Sequence, residues 1–187
     1  MGMFDHWVSP LAAWPELFSE SLQELDGQAQ INVRGNPDEK AFTDWIKKGL
    51  SISLPMEPNQ TEVGKNCKAL WLAPTEWMVI APGEPATLLN ELKSPPADLH
   101  TAITDVSANR VILELDGKYA RDVLTKSCEL DFHPNAFPER HVVQTSIAKS
   151  QAIIEHVAAD QYHLYIRNSF ARYAAEWLSD ALKEYQD

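Results

Sequence analysis

The chain has 187 residues, a hydrophobic fraction of 44% and a formal net charge of −11 at pH 7. Its 16 Lys and Arg residues are scattered rather than gathered in one stripe, so no surface for tracking phosphates is indicated and nucleic acid is excluded as a partner. No apolar run approaches the roughly 18 to 20 residues that cross a bilayer. The first residues also lack the basic-then-apolar layout of a signal peptide. We therefore expect a globular, cytoplasmic protein without a membrane segment.

Large apolar side chains are concentrated in the first 25 residues, among them Trp7, Trp14 and Phe18. Pro15 predicts the start of a short helix whose apolar face continues to Leu25. Two interpretations stay open, because so large an aromatic group is seldom left in water. The segment packs on its own domain, or it is an arm that lies on a partner subunit. In the second case, deleting it should weaken assembly more than folding.

The region of residues 26–101 alternates between strand and helix patterns. Asn36 as a capping side chain, Pro37 in the first turn and Glu39 three residues after the cap predict a helix that begins at residue 36. Strand patterns lie on both sides of this helix. In chain order, the predicted elements are a strand at residues 30–34, a helix at 36–50, a loop at 57–68, a strand pair at 69–73 and 77–81, and a short helix at 86–92.

The region of residues 102–187 repeats that order after an extra strand. Alternation of apolar and polar residues between Val111 and Leu115 indicates a strand with one buried face, and Gly117 follows it as a turn residue. Gly35 follows the first strand of the earlier region in the same way. In chain order, the predicted elements are strands at residues 103–106 and 111–115, a helix at 120–128, a loop at 129–141, strands at 145–157 and 162–167, and a helix at 169–185.

Two copies of one strand, helix, strand, strand, helix unit account for both regions. This is a ferredoxin-like ordering, so the fold class is predicted as α+β with two such repeats. The predicted organisation is an N-terminal arm at residues 1–25, a first α/β repeat at 26–101 and a second at 102–187, with the two repeats forming one compact unit. Equivalent strands should then precede Gly35 and Gly117, and the two halves should share one strand order.

The sequence assembles no catalytic or ligand-binding constellation. Its histidines and its two cysteines, Cys67 and Cys128, lack the close pair spacing from which zinc sites are built, and the cysteines are predicted to be buried thiols. The polar run from Asp105 to Arg110 is interpreted as side chains that hold the backbone at a break between two strands. A Gly-rich phosphate loop is also missing from the sequence. We therefore assign no catalytic, cofactor-binding or metal-binding residue.

The loop at residues 129–141 is long for a compact domain, and long ordered loops commonly contact partners or ligands. An interface role is therefore predicted for this loop together with the N-terminal arm. The candidate interface residues are aromatic or His side chains of these two segments: Trp7, Trp14, Phe18, Phe132, His133 and Phe137.

Several separated motifs occur in order along nearly the whole chain. They are Ile31-Asn-Val-Arg-Gly35, Leu70-Trp-Leu-Ala-Pro-Thr-Glu-Trp77, Asp105-Val-Ser-Ala-Asn-Arg110, Cys128-Glu-Leu-Asp-Phe-His-Pro134 and Tyr162-His-Leu-Tyr-Ile-Arg167-Asn-Ser-Phe-Ala-Arg-Tyr173. Together they resemble the gamma subunit of heterotetrameric sarcosine oxidase. Glu129 stands where a Pro is expected in that family, a departure that concerns the rigidity of the loop.

The resemblance implies a non-catalytic subunit that supports assembly of an enzyme complex. That complex demethylates sarcosine oxidatively to glycine, with hydrogen peroxide and formaldehyde or methylene-tetrahydrofolate as products. Alpha, beta and delta subunits are implied as partners, and they would carry FAD, FMN, NAD, tetrahydrofolate and zinc. The implied fold is similar to the folate-binding domain of the glycine-cleavage aminomethyltransferase. The alternative is an autonomous folate-binding or aminomethyltransferase-like protein, which folate affinity of the isolated chain would distinguish.

Overall fold

The computed structural model describes residues 7–185, which divide into two compact units. Trp7 and residues 27–107 form the first unit, and residues 8–26 join residues 108–185 in the second. Each unit combines helices with an antiparallel sheet, so the predicted α+β class is confirmed. No helix within residues 7–185 has the length and hydrophobicity of a membrane span.

Numbered in chain order, the strands are β1 (Leu22–Glu24), β2 (Gln28–Arg34), β3 (Thr61–Val63), β4 (Lys68–Ala73), β5 (Glu76–Pro82), β6 (Ala102–Asp105), β7 (Arg110–Asp116), β8 (His141–Ile147), β9 (Ser150–Ala158) and β10 (Gln161–Arg167). The α-helices are α1 (Lys40–Leu50), α2 (Pro85–Glu91), α3 (Ala120–Thr125) and α4 (Ala171–Leu182). A short 3-10 turn at Pro15–Leu17 precedes β1.

The first unit contains a five-stranded sheet, whose strands lie in the order β3-β4-β5-β2-β6. Alternate residues of β2, including Ile31 and Val33, point to one face because side chains alternate along a strand. On α1, Phe42, Ile46 and Leu50 are buried at a spacing of four residues, which places them on one side of the helix. The core of this unit lies between that face of the sheet and the helices.

The second unit repeats the strand order of the first. Its sheet runs β8-β9-β10-β7-β1, so β7 takes the place of β2, and β10 takes the place of β5. The helices α3 and α4 correspond to α1 and α2, and they share a core with alternate residues of β7 such as Leu113 and Leu115. The predicted repeat and its common strand order are therefore confirmed, but each unit has three strands between its two helices where the sequence predicted two.

The edge strand beside β2 in the first sheet and the edge strand beside β7 in the second come from different parts of the chain. In the first unit β6, which follows α2, lies beside β2, with Val33 opposite Ile103. In the second unit the equivalent strand is β1, from the N-terminal segment, and it pairs with β7 so that Leu22 lies opposite Leu115. In each unit this strand lies beside the strand that precedes the first helix, which is the place of the last strand in ferredoxin-like folds.

The N-terminal segment is therefore part of the second unit, whereas the sequence predicted a separate arm at residues 1–25. Leu11 and Leu22 have no exposed surface and belong to the second core. The physical reason is that β7 would otherwise be an open sheet edge with an uncovered apolar face. Residues 1–6 of the predicted arm lie outside the described residues.

Several element boundaries also differ from the sequence-based expectation. The helix predicted from Pro15 to Leu25 is a single 3-10 turn followed by β1. The strand predicted at residues 145–157 is two strands, β8 and β9, because the chain turns at Ala148, whose φ is 49°. Asn36 does not cap α1, which begins at Lys40; its Oδ1 accepts the Asp38 N–H at 3.1 Å and closes a turn.

Gly35 and Gly117 occupy equivalent positions after β2 and β7, as predicted, but for different reasons. Gly117 has a φ of 115°, a conformation that side chains rarely adopt. Gly35 has no such φ, but an added Cβ would collide with the ring of Phe42, which is fully buried. Space, rather than backbone conformation, therefore requires glycine at position 35.

Gly35→Ala is expected to lower the free energy of unfolding by about 1–3 kcal/mol, because it overpacks the ring of Phe42. Urea denaturation measures the loss. In a Phe42→Leu background the added methyl has room, so the cost of Gly35→Ala should shrink. An equal cost in both backgrounds would show that the Phe42 ring is not the cause.

Candidate functional site

The predicted interface loop is folded into its own unit. Phe132 and Phe137 are only 1% and 4% exposed, and both belong to the second core. Their rings meet edge to face with centroids 5.9 Å apart, and Phe132 contacts the Tyr162 ring in the same geometry at 5.9 Å. This corrects their assignment as interface residues, since neither ring lies on a surface that a partner could contact.

His156 extends this aromatic cluster into a stack. Its ring lies between those of Phe137 and Tyr162, with centroid distances of 5.7 and 4.6 Å. The His156 Nδ1–H donates to the carbonyl oxygen of Phe137 at 2.7 Å. His156 was not among the residues predicted from the sequence, although its position among the apolar residues of β9 indicates a buried side chain.

His133 is the one predicted interface residue of the described loop whose side chain is exposed. Its backbone N–H donates to Asp131 Oδ1 at 2.8 Å, and its Nδ1 accepts the N–H of Asn135 at 3.2 Å. The loop closes its own turns with these side chains, so His133 is presented at the surface in a defined orientation.

Trp7, Trp14 and Phe18 are each half-buried. Phe18 packs against the second core. The guanidinium carbon of Arg172, on α4, lies 4.5 Å from the centroid of the Trp14 ring, and the Arg172 Nε donates to Glu176 at 2.7 Å. Trp14 is thus fixed to α4 by a cation–π contact while part of its surface remains accessible.

Helix α4, together with Phe170 immediately before it, carries a second apolar side that its own unit covers only in part. Phe170 and Trp177 are each 41% exposed, and the Tyr173 ring lies between them in sequence, 6.3 Å from that of Trp177. We call these three residues the α4 aromatic patch. In the sequence, the apolar stripe of the last helix is wider than a single core-facing side requires. The side that faces the core is marked by Leu178 and the other buried residues of the helix.

The polar run that begins at Asp105 holds the backbone, as interpreted from the sequence. The Oδ1 of Asp105 accepts the Ser107 N–H at 2.9 Å and the Ser107 hydroxyl at 2.6 Å. The Ser107 Oγ in turn accepts the N–H of Gln30 at 2.9 Å. These bonds close the end of β6 against β2, and Asp105 and Ser107 need no catalytic role to explain their positions.

Both cysteines are free and buried. Burial raises the pKa of the Cys67 thiol, which stays protonated at neutral pH. The Cys128 Sγ lies 3.7 Å from the hydroxyl of Thr145. Within residues 7–185, no three His, Cys, Asp or Glu side chains are grouped so that they could hold a metal ion.

A buried carboxylate lies on the second sheet, on the face opposite its helices. Glu155 is 2% exposed and accepts the hydroxyl of Tyr165 at 2.6 Å. His163 lies 3.0 Å from Glu114 through its Nε2 and 3.6 Å from Glu155 through its Nδ1. Burial, and then the neighbouring Glu155, raises the pKa of Tyr165 well above its usual value. Tyr165 therefore remains a neutral donor that stabilises the carboxylate.

Comparison with protein families matches residues 34–184 to the sarcosine oxidase, gamma subunit family. This chain belongs to that family. The sarcosine oxidase subunit gamma of Corynebacterium sp. (strain P-1) is 30% identical over 182 residues, covering 97% of this chain and 89% of the relative. That of Corynebacterium sp. (strain U-96) is 34% identical over 166 residues, covering 88% and 80%.

Solved structures agree with this family. A chain of the heterotetrameric sarcosine oxidase from Corynebacterium sp. U-96, in complex with pyrrole 2-carboxylate, matches with a TM-score of 0.83 at 27% identity and covers 97% of both chains. The glycine cleavage system aminomethyltransferase T from Bartonella henselae matches with a TM-score of 0.62 at 17% identity, covering 84% of this chain and 44% of that one. The second likeness shows the fold alone, and it confirms the predicted similarity to the aminomethyltransferase fold.

Proposed function

We propose that this chain is the gamma subunit of a heterotetrameric sarcosine oxidase and that it holds the cofactor-bearing subunits together without carrying out chemistry itself. Its partners would be the alpha, beta and delta subunits, and FAD, FMN, NAD, tetrahydrofolate and zinc would be bound on them. The complex would demethylate sarcosine oxidatively to glycine in the cytoplasm, with hydrogen peroxide and formaldehyde or methylene-tetrahydrofolate as products.

The length of the structural match is the observation that carries this proposal. A likeness confined to one domain supports a fold and no more. Here the match covers 97% of both this chain and a chain of a heterotetrameric sarcosine oxidase, and the relatives named subunit gamma are matched over most of their length. The aminomethyltransferase likeness, at 17% identity, supports no transfer of folate binding.

The α4 aromatic patch is the surface on which we place a partner subunit of this complex. Burying a large aromatic side chain contributes about 1.5–3 kcal/mol to association, and aromatic anchors commonly dominate interface energetics. Trp14 lies beside the patch through its contact with Arg172. From the predicted interface set, Trp7, Phe18 and His133 also remain candidates, because each is at least partly exposed.

Trp177→Ser, in the chain co-expressed with the other sarcosine oxidase subunits, is expected to reduce recovery of the complex by about tenfold or more, equivalent to at least about 1.4 kcal/mol. The thermal midpoint of the isolated chain should stay close to that of the wild type, because the substituted ring is 41% exposed. Affinity purification of the complex with quantification of each subunit provides the measurement.

Met56→Ser is the matched control, since Met56 is also a large exposed apolar side chain, 48% exposed, but lies in the first unit. It should leave recovery unchanged. Full recovery with Trp177→Ser would remove the patch from the interface. Failure of the wild-type chain to join the other subunits, combined with tight tetrahydrofolate binding by the isolated chain, would instead favour the autonomous folate-binding protein.

A further inference from the structure

A groove opens in the first unit at one end of its sheet. Its volume of about 730 Å³ lies within the range for small-ligand sites. It is bounded by the ends of α1 and β5, by α2, and by the turn between β3 and β4. All of its lining residues belong to the first unit, so this unit supplies the whole of the lining.

The floor of this groove is the core of the first unit. Residues at the centre of that core, such as Ile46 and Val79, have no exposed surface. Its three most exposed members are Leu50, Cys67 and Leu88, each 7% exposed, and all three line the groove. The core is therefore open to a ligand at this place, and its apolar surface favours contact with an aliphatic group over contact with water.

Val63 extends the apolar surface to the rim of the groove. It is the last residue of β3 and is 51% exposed. Single exposed apolar residues are common on protein surfaces, but this one lines the same groove as the exposed members of the core. An aliphatic group on the floor would therefore also cover part of Val63, and the burial of both surfaces would favour binding.

Charges of both signs lie at the rim. Lys65, in the turn between β3 and β4, and Glu91, the last residue of α2, are exposed and line the groove. Neither side chain forms an ion pair within residues 7–185. The other charged residues of the lining, Lys68 and Glu84, already interact with other groups, so they are not counted among the groups that hold a ligand.

The rim favours a head group that carries both charges. An anion is attracted by Lys65 and repelled by Glu91, whereas a cation is attracted by Glu91 and repelled by Lys65. A zwitterion can place each of its charges near the opposite charge of the rim, so it gains both attractions. With an aliphatic body for the floor, these requirements describe an aliphatic amino acid.

We propose that this groove binds an aliphatic amino acid in its zwitterionic form. The side chain of the amino acid lies on the floor formed by Leu50, Cys67 and Leu88. Its carboxylate lies toward Lys65 and its ammonium group toward Glu91. The proposal does not depend on the assignment to sarcosine oxidase, because it concerns the side chains of this chain alone.

Nuclear magnetic resonance titration of the full-length, ¹⁵N-labelled chain with L-leucine tests the proposal. Leucine should bind with a Kd of about 1 mM, and the amide shifts should be concentrated at the floor, including Cys67 and Leu88. Two probes share the aliphatic body of leucine: 4-methylpentanoate lacks the ammonium group, and 3-methylbutylamine lacks the carboxylate. Each should bind about threefold more weakly or worse, because it loses one attraction and keeps one repulsion.

Lys65→Gln should weaken leucine binding by about twofold to fivefold, the range of an exposed ion pair, and should reduce the preference for leucine over 3-methylbutylamine. Glu91→Gln should do the same for the preference over 4-methylpentanoate. Lys93→Gln is the matched control, because Lys93 is exposed, lies two residues beyond α2 and does not line the groove. It should change the affinity by less than about twofold.

The proposal fails if about 10 mM leucine, ten times the expected Kd, causes no amide shifts or shifts only amides away from the groove. It also fails if either singly charged probe binds as tightly as leucine, or if Lys65→Gln and Lys93→Gln weaken leucine binding equally. Shifts at the floor, with leucine preferred over both probes and the preference altered by each rim variant, would establish the site.

Discussion

Deleting residues 1–26 is expected to abolish the native fold of the second unit. The deletion removes β1 from the edge of the sheet and takes Leu11 and Leu22, both without exposed surface, out of the core. Each such side chain contributes about 1.5–3 kcal/mol by burial, whereas a whole domain is stable by only about 5–15 kcal/mol. The expectation from the sequence, that loss of an N-terminal arm would weaken assembly more than folding, is thereby reversed.

Hydrogen exchange gives the sharpest measurement of this effect, because it reports each unit separately. Amides of β7 and β10 should lose protection in the truncated chain. Deletion of residues 1–6 alone is the control, since it leaves the whole segment of residues 8–26 in place. Wild-type protection of β7 in the chain that lacks residues 1–26 would show that the segment is dispensable for the second core. Leu22→Ala is the milder variant, with an expected loss of about 2–5 kcal/mol.

Phe132→Ala is expected to lower the free energy of unfolding by about 3–5 kcal/mol. The ring is 1% exposed and lies edge to face with both Phe137 and Tyr162, so its removal leaves a cavity among rings that cannot move together without losing their own contacts. Urea denaturation monitored by circular dichroism measures the change.

His133→Ala provides a control at the adjacent position. The His133 side chain is exposed, and a surface substitution of this kind usually changes stability by no more than about 0.5 kcal/mol. A Phe132→Ala protein of unchanged stability that fails to recover its partner subunits would return Phe132 to the interface. Loss of stability in Phe132→Ala but not in His133→Ala would establish that the loop is anchored by its aromatic residues.

The pattern of elements in the two repeats could be predicted from sequence because its causes are local. Alternation in β7 and the three-and-four spacing in α1 report which side of each element is apolar, since side chains repeat every two residues in a strand and about every 3.6 in a helix. Gly35 and Gly117 then mark the equivalent ends of β2 and β7. The family motifs, spread over nearly the whole chain, also indicated the correct protein family.

The candidate surface could be predicted only in part. The composition of the loop and of the N-terminal segment indicated aromatic residues in need of cover, and His133 is indeed exposed. Composition does not say whether the cover comes from the same chain or from a partner. Phe132 and Phe137 are covered by other residues of the second core. The α4 aromatic patch, which the sequence predicted as part of one apolar stripe, is partly exposed.

The sequence by itself therefore determined the repeated α+β order, the turn glycines and the family. Only the tertiary structure decided that β1 completes the second sheet, that the loop aromatics are core residues, and that Arg110 lies opposite Arg167. The physical reason is the range of the interactions. Periodicity and turn chemistry act within a few residues, but strand pairing joins positions separated by as many as 93 residues, as in Leu22 and Leu115, and is chosen by which apolar faces can be buried together.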